Sequence, residues 1–250
     1  MLEDQVVVVT GGSRGIGRAV CLGMAAAGAR VVVVGRERAV ANEVVETIET
    51  ELQREALAVA ADVGDASAVQ QVVEQTLARF GRIDVLVTLA GIVAPAKFLD
   101  ISSAQWDHVL SANLTGTFLC IKAVLPHMLE RDSGRIITTT SLAGLKSGVS
   151  GADYSASKAG VIALTQAVAR ELRDERRKIT VNCVSPVAHT RMSEALAQYR
   201  GVSVEQFRSE RPGGTMPTTD DMVPTYLFLA SAGAAHITGQ VIAVDNGRSL

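Results

Sequence analysis

Val6-Val7-Val8-Val9-Thr10-Gly11-Gly12-Ser13-Arg14-Gly15-Ile16-Gly17 carries a continuous apolar run straight into a glycine-rich turn. Four successive valines without polar alternation read as a strand buried on both faces. Without side chains, Gly11, Gly15 and Gly17 allow a tight turn and let a pyrophosphate approach the positive end of the following helix. A glycine turn that merely packs is the weaker reading, given the strand before it and the helix after it.

Working outward, residues 31–34, 57–61, 83–87, 136–140, 179–184 and 241–244 are further apolar runs of strand length. Helical patterns over 15–27, 37–54, 66–80, 112–130, 154–173, 192–210 and 220–230 separate nearly all of them, with Gly28 and Gly81 placed as C-caps. Buried strands alternating with helices predict a single α/β domain over 1–250: a Rossmann fold with a doubly wound, parallel seven-stranded sheet and helices on both faces. The helical stretches 112–129 and 156–169 are apolar on more than one side, which predicts burial against both the sheet and a second subunit.

Composition narrows the function. With 48% hydrophobic and 20% charged residues the chain can fill a large core, and a net charge of -2 leaves no basic excess for nucleic acid or an anionic membrane surface. Cys21, Cys120 and Cys183 are distant and odd in number, so neither a disulfide framework nor a zinc site is indicated, and a reducing, cytoplasmic setting is expected. Glu3 and Asp4 stand where a secretion signal carries basic residues, and no apolar stretch is expected to reach an uninterrupted membrane span. His108, His127, His189 and His236 show no metal-ligating spacing; of these, only His189 is expected near the substrate, with no catalytic role.

The second decisive stretch is Tyr154-Ser155-Ala156-Ser157-Lys158, thirteen residues after Ser141. Tyr and Lys at i and i+4 share a helix face, so an ammonium about 4 Å from the phenol is expected to favour its anion. The second strand ends in Gly35-Arg36 without the carboxylate that would take the ribose 2′-hydroxyl of NAD. Arg36, with Arg14 in the glycine loop, instead suits the 2′-phosphate of NADP, so NADP(H) is expected over NAD.

On these motifs the chain resembles the short-chain dehydrogenase/reductase family across its whole length, and within it 3-oxoacyl carrier-protein reductases and related ketone or alcohol enzymes. The resemblance implies a catalytic tetrad of Asn113, Ser141, Tyr154 and Lys158. It also implies cofactor contacts from Gly11, Ser13, Arg14, Gly15, Ile16, Gly17, Arg36, Asp62, Val63, Ala90, Gly91, Tyr154, Lys158, Pro186 and Thr190. Implied too are hydride exchange between nicotinamide and a small carbonyl or alcohol substrate, with Tyr154 as acid or base, and a homotetramer. Sugar or steroid dehydrogenases, and a noncatalytic dinucleotide-binding protein, are the competing readings. Thr88-Leu89 and Pro186-Val187 depart from the family's Asn-Asn and Pro-Gly. Residues 189–216 are expected to form a substrate lid with an apolar inner face of Met192, Leu196, Tyr199, Val202, Val204, Phe207 and Met216, and Pro212-Gly213-Gly214 as a flexible exit.

Overall fold

The valine-rich runs form strands because β-branched side chains fit a pleated surface covered on both faces. The computed structural model describes residues 1–146, 151–210 and 216–250. The strands are β1 (Val6–Thr10), β2 (Arg30–Gly35), β3 (Ala56–Ala60), β4 (Val85–Thr88), β5 (Gly134–Thr139), β6 (Ile179–Pro186) and β7 (Val241–Val244). They make one parallel sheet in the order β3-β2-β1-β4-β5-β6-β7. Alternation divides β1 to β6 between two cores, Val7 and Val9 packing on one face and Val6 and Val8 on the other, whereas the edge strand β7 is only partly buried, through Ile242 and Val244.

The helices are α1 (Gly15–Ala26), α2 (Arg38–Glu51), α3 (Ala66–Phe80), α4 (Ser103–Leu110), α5 (Gly116–Glu130), α6 (Leu142–Leu145), α7 (Ala152–Asp174), α8 (Arg191–Tyr199), α9 (Val204–Ser209) and α10 (Val223–Ala230). One core takes Val20 and Met24 of α1 and Tyr226 and Leu229 of α10; the other takes residues of α3, α5 and α7. Asp65 caps α3 by accepting from Ser67 N at 2.8 Å, and Gly81 ends it at φ 74°. Strand order reverses between β1 and β4, which opens a crevice at the carboxyl ends of the strands.

Three local expectations are corrected. The fourth expected helical segment, 112–130, begins instead at Ser103, nine residues before the expected start, and runs through a π-helical turn, Ser111–Thr115, into α5. The resulting 28-residue helix, Ser103–Glu130, has the length and apolarity of a membrane span, against the expectation that none approaches it. Here Cys120, Ile121, Val124 and Met128 are buried in the core beside the sheet. The single helix expected over 192–210 is two, α8 and α9, broken where Gly201 takes φ 68°. The proposed exit Pro212-Gly213-Gly214 lies outside the described residues.

Candidate active site

The carboxyl ends of β1, β2, β4, β5 and β6 open into one cavity of about 980 Å³. Its floor is the glycine turn. Gly11 at φ 68° and Gly15 at φ 54° take backbone conformations that L side chains rarely adopt, and a Cβ at Gly11 would stand 2.7 Å from Ala90 N. A Cβ at Gly17 would overlap the Gly11 carbonyl oxygen, so turn and helix close only with glycine there. Ser13, Arg14, Ile16, Arg36, Asp62, Val63, Ala90, Gly91, Pro186 and Thr190 also line the cavity. Asp62 Oδ1 accepts from Gly64 N at 2.9 Å, and Val63 is buried against Gly116. All the residues expected at a dinucleotide site therefore meet here, and the glycine cradle and exposed cations fit a phosphate-bearing cofactor.

One partner was not foreseen. Arg14 donates to both carboxylate oxygens of Glu37, at 2.8 and 3.1 Å, so it is not an open phosphate ligand. The pair holds the Glu37 carboxyl below its ordinary range; Arg14 contributes most, and Arg36 and Arg191 also act on it. Arg36 is exposed and has no ion pair among the described residues. Gly35 is glycine for a packing reason, since a Cβ would lie 2.8 Å from Ser13 Oγ.

Ser141, Tyr154 and Lys158 line the inner end, whereas Asn113 lies behind Gly91 and does not reach the cavity wall. Tyr154 and Lys158 sit one turn apart on α7, both buried. Lys158 Nζ stands 5.9 Å from the Tyr154 ring centre and donates to Thr139 O at 2.9 Å. Burial pushes the Tyr154 phenol up, with Ser141 pulling it down. Burial likewise lowers the Lys158 ammonium to about 8. Ser141 caps α6, accepting from Ala143 N at 3.3 Å, so it has a structural task as well as a place beside the phenol.

Asn113 lies in the π-helical turn, fully buried. Its Oδ1 accepts from Ile92 N at 2.8 Å, and its Nδ2 donates to Ile92 O at 3.0 Å and to Ser157 Oγ at 3.0 Å. It thus ties the loop after β4 to α7. A Cβ at Gly91 would stand 3.0 Å from Asn113 Oδ1 and 3.5 Å from Lys158 Nζ, so this glycine keeps the space between them open.

The roof is formed by the segment after β6. Thr190 caps α8 in a reciprocal arrangement with Ser193, and its methyl sits over Gly15. Tyr154 Oη lies 3.6 Å from Met192 Sδ. Met192, Leu196, Phe207 and Met216 line the cavity, whereas Tyr199, Val202 and Val204 do not, so the apolar face is four residues rather than seven. His108, not His189, reaches the cavity wall; His189 Nε2 stands 3.3 Å from Glu194. Among the described residues no three His, Cys, Asp or Glu side chains gather as a metal site. Thr88 Oγ1 is buried without a partner, and Leu89 beside it lines the cavity.

Comparison with known proteins agrees with this geometry. Residues 5–200 match the family described as short chain dehydrogenase. The chain is 42% identical to 3-oxoacyl-[acyl-carrier-protein] reductase of Synechocystis sp. over 248 residues, covering 98% of this chain and 97% of that protein. It is 39% identical over 251 residues to (2S)-[(R)-hydroxy(phenyl)methyl]succinyl-CoA dehydrogenase subunit BbsD of Thauera aromatica, covering 100% and 98%. Among solved structures, levodione reductase superposes with a TM-score of 0.94 at 31% identity, covering 100% of this chain and 99% of that one.

Proposed function

The chain belongs to the short-chain dehydrogenase family, and from that premise we propose an NADP(H)-dependent oxidoreductase that interconverts a ketone and a secondary alcohol, with 3-oxoacyl thioesters as its substrate class. The observation that carries the reading is the Tyr154 hydroxyl at the wall of the glycine-floored cavity, with Ser141 beside it and Lys158 one turn behind. Both relatives carry names that place the acyl group on a carrier, acyl-carrier protein in one and CoA in the other.

Gly11, Gly15 and Gly17 would cradle a pyrophosphate, Arg36 would meet a 2′-phosphate, and Asp62 and Val63 would border the adenosine. When bound, a nicotinamide cofactor supplies or accepts the hydride. Tyr154 gives its phenolic proton to the carbonyl oxygen in reduction and takes it back in oxidation. Ser141 donates a second hydrogen bond to that oxygen, which offsets the negative charge developing there. Lys158, still mostly protonated at neutral pH, favours the phenolate form of a tyrosine that burial alone would keep neutral. Met192, Leu196, Phe207 and Met216 exclude water and cover an apolar chain, acting as the lid. The protein is further read as a cytoplasmic homotetramer, its three cysteines free and buried.

Purified protein assayed with NADPH and acetoacetyl-CoA, an apolar ketone and a sugar tests the proposal. The thioester is expected to show the highest kcat/KM, and Tyr154→Phe to bind NADPH normally while losing nearly all turnover. A preference for the sugar, or an active Tyr154→Phe, rejects it.

A further inference from the structure

The substrate half of the cavity has a cation that the reaction does not use. Arg248 follows β7 in a short loop, half-buried, and lines the cavity wall. Two other cations on the same half are occupied. Arg200 donates to Glu210 Oε2 at 2.6 Å and stacks on Phe207, 5.6 Å from the ring centre. Lys146, five residues beyond Ser141, donates to the backbone oxygen of Leu250. The Arg248 guanidinium has neither an ion pair nor a hydrogen bond among the described residues. Of its neighbours, Arg200 opposes its charge and Glu210, already engaged by Arg200, only partly offsets it.

A half-buried guanidinium without a counter-ion is costly unless an anion completes it. Planar donors in a fixed fork suit a carboxylate or a phosphate. Met192 stands at the Tyr154 hydroxyl and Phe207 packs under Arg200, the neighbour of Arg248; with Leu196 they give the cavity an apolar wall that suits methylene groups. Loop position matters as well: Pro186 of β6 is in register with Val244 of β7, so the loop that carries Arg248 leaves the sheet beside the strand that precedes the lid.

Resting on the oxidoreductase reading above, we propose that Arg248 is an anion receptor for the substrate. The substrate is then a ketone or secondary alcohol whose carboxylate or phosphate is set off from the reacting carbon by an apolar segment. The two sources of the anion are separable. A carboxylate would belong to the acyl group itself, whereas a phosphate would belong to the arm of a thioester carrier.

The test uses two matched pairs with NADPH: 6-oxoheptanoate against its methyl ester, and the acetoacetyl thioester of phosphopantetheine against that of pantetheine. At least one pair is expected to show a preference for the anionic member of roughly ten- to hundred-fold in kcat/KM, expressed mainly in KM. Arg248→Gln is expected to bring that ratio close to one, and Arg248→Lys to restore part of it. The pair that responds identifies the source. Calorimetric titration of 6-oxoheptanoate and of the phosphopantetheine thioester into the NADP-loaded protein reads the same contact without turnover. Binding of an anion lost in Arg248→Gln supports the receptor even where no ketone is reduced, an outcome that would sink the oxidoreductase reading alone. Turnover without preference in either pair, or a ratio unchanged by Arg248→Gln, overturns the receptor and leaves the oxidoreductase intact.

Discussion

Lys158 is held at about 8 because folding removes its ammonium from water. In the unfolded chain it titrates near 10.5. Below pH 8 both states are protonated and the fold bears the whole cost of the buried charge. Between 8 and 10.5 the unfolded state binds more protons, so stability rises with pH. Lys158→Met is therefore expected to stabilise the cofactor-free protein, by on the order of 2 kcal/mol below pH 8 once the lost bond to Thr139 is discounted. That gain should fade toward pH 10.5 while turnover is lost throughout. Urea unfolding at pH 7 and pH 10 checks this; the same gap at both would show that the buried charge is not its source. Cofactor choice is also decided by single residues. Arg36→Ala is expected to weaken NADP(H) about ten- to hundred-fold and NAD(H) far less, because only the former carries the 2′-phosphate. Glu37→Gln releases Arg14 and should tighten NADP(H) several-fold. Fluorescence titration of both dinucleotides measures the two variants, and a loss of NADP(H) affinity in Glu37→Gln would contradict the competition drawn between Glu37 and the phosphate.

Among the elements, the helix through the π-helical turn does the most positioning. One extra residue in the turn shifts Asn113 onto the loop after β4, where it serves Ile92 N, Ile92 O and Ser157 at once. Asn113→Ala leaves those groups without their partner, and a loss of about 1–3 kcal/mol in unfolding free energy is expected, with faster amide exchange over 91–97. Unchanged exchange there would mean that the loop is held by other contacts. None of this is readable from the sequence, since an asparagine at 113 in an apolar helix has the same local pattern whether the turn is α or π. The strands were legible because valine runs buried on both faces need no context. Ser103–Leu110 was not, because only Val109 of that segment is buried and no apolar stripe marks it. The break at Gly201 was hidden by flanking residues that keep a helical spacing. Spacing within one helix revealed Tyr154 and Lys158. The Arg14–Glu37 pair, by contrast, depends on the glycine turn and the end of β2 meeting in space.

At the scale of the whole molecule, two helices present faces that the single chain does not cover. On α5, Phe118 is 43% exposed beside the half-buried Leu114 and Leu125, with Lys122 set over its ring. On α7, Ala156, Ala159, Ala163 and Ala167 are exposed at helical spacing, a smooth surface that lets another helix approach closely. The opposite faces of both helices lie in the core, so these outer faces are free to meet a second copy. A patch that pairs with itself closes a two-fold contact, and two different two-folds build the proposed tetramer. Burying a phenylalanine contributes on the order of 2 kcal/mol, and a two-fold axis uses it twice. A carboxylate in its place would face its own symmetry mate across the interface, and the neighbouring Lys122 offsets that desolvation and repulsion only in part. Phe118→Asp is thus expected to remain folded by circular dichroism, since Phe118 lies outside the core, while falling from four chains to two or one by light scattering at micromolar concentration. Parent protein that already scatters as a monomer would reject the assembly. A Phe118→Asp variant that keeps four chains would move the interface away from α5.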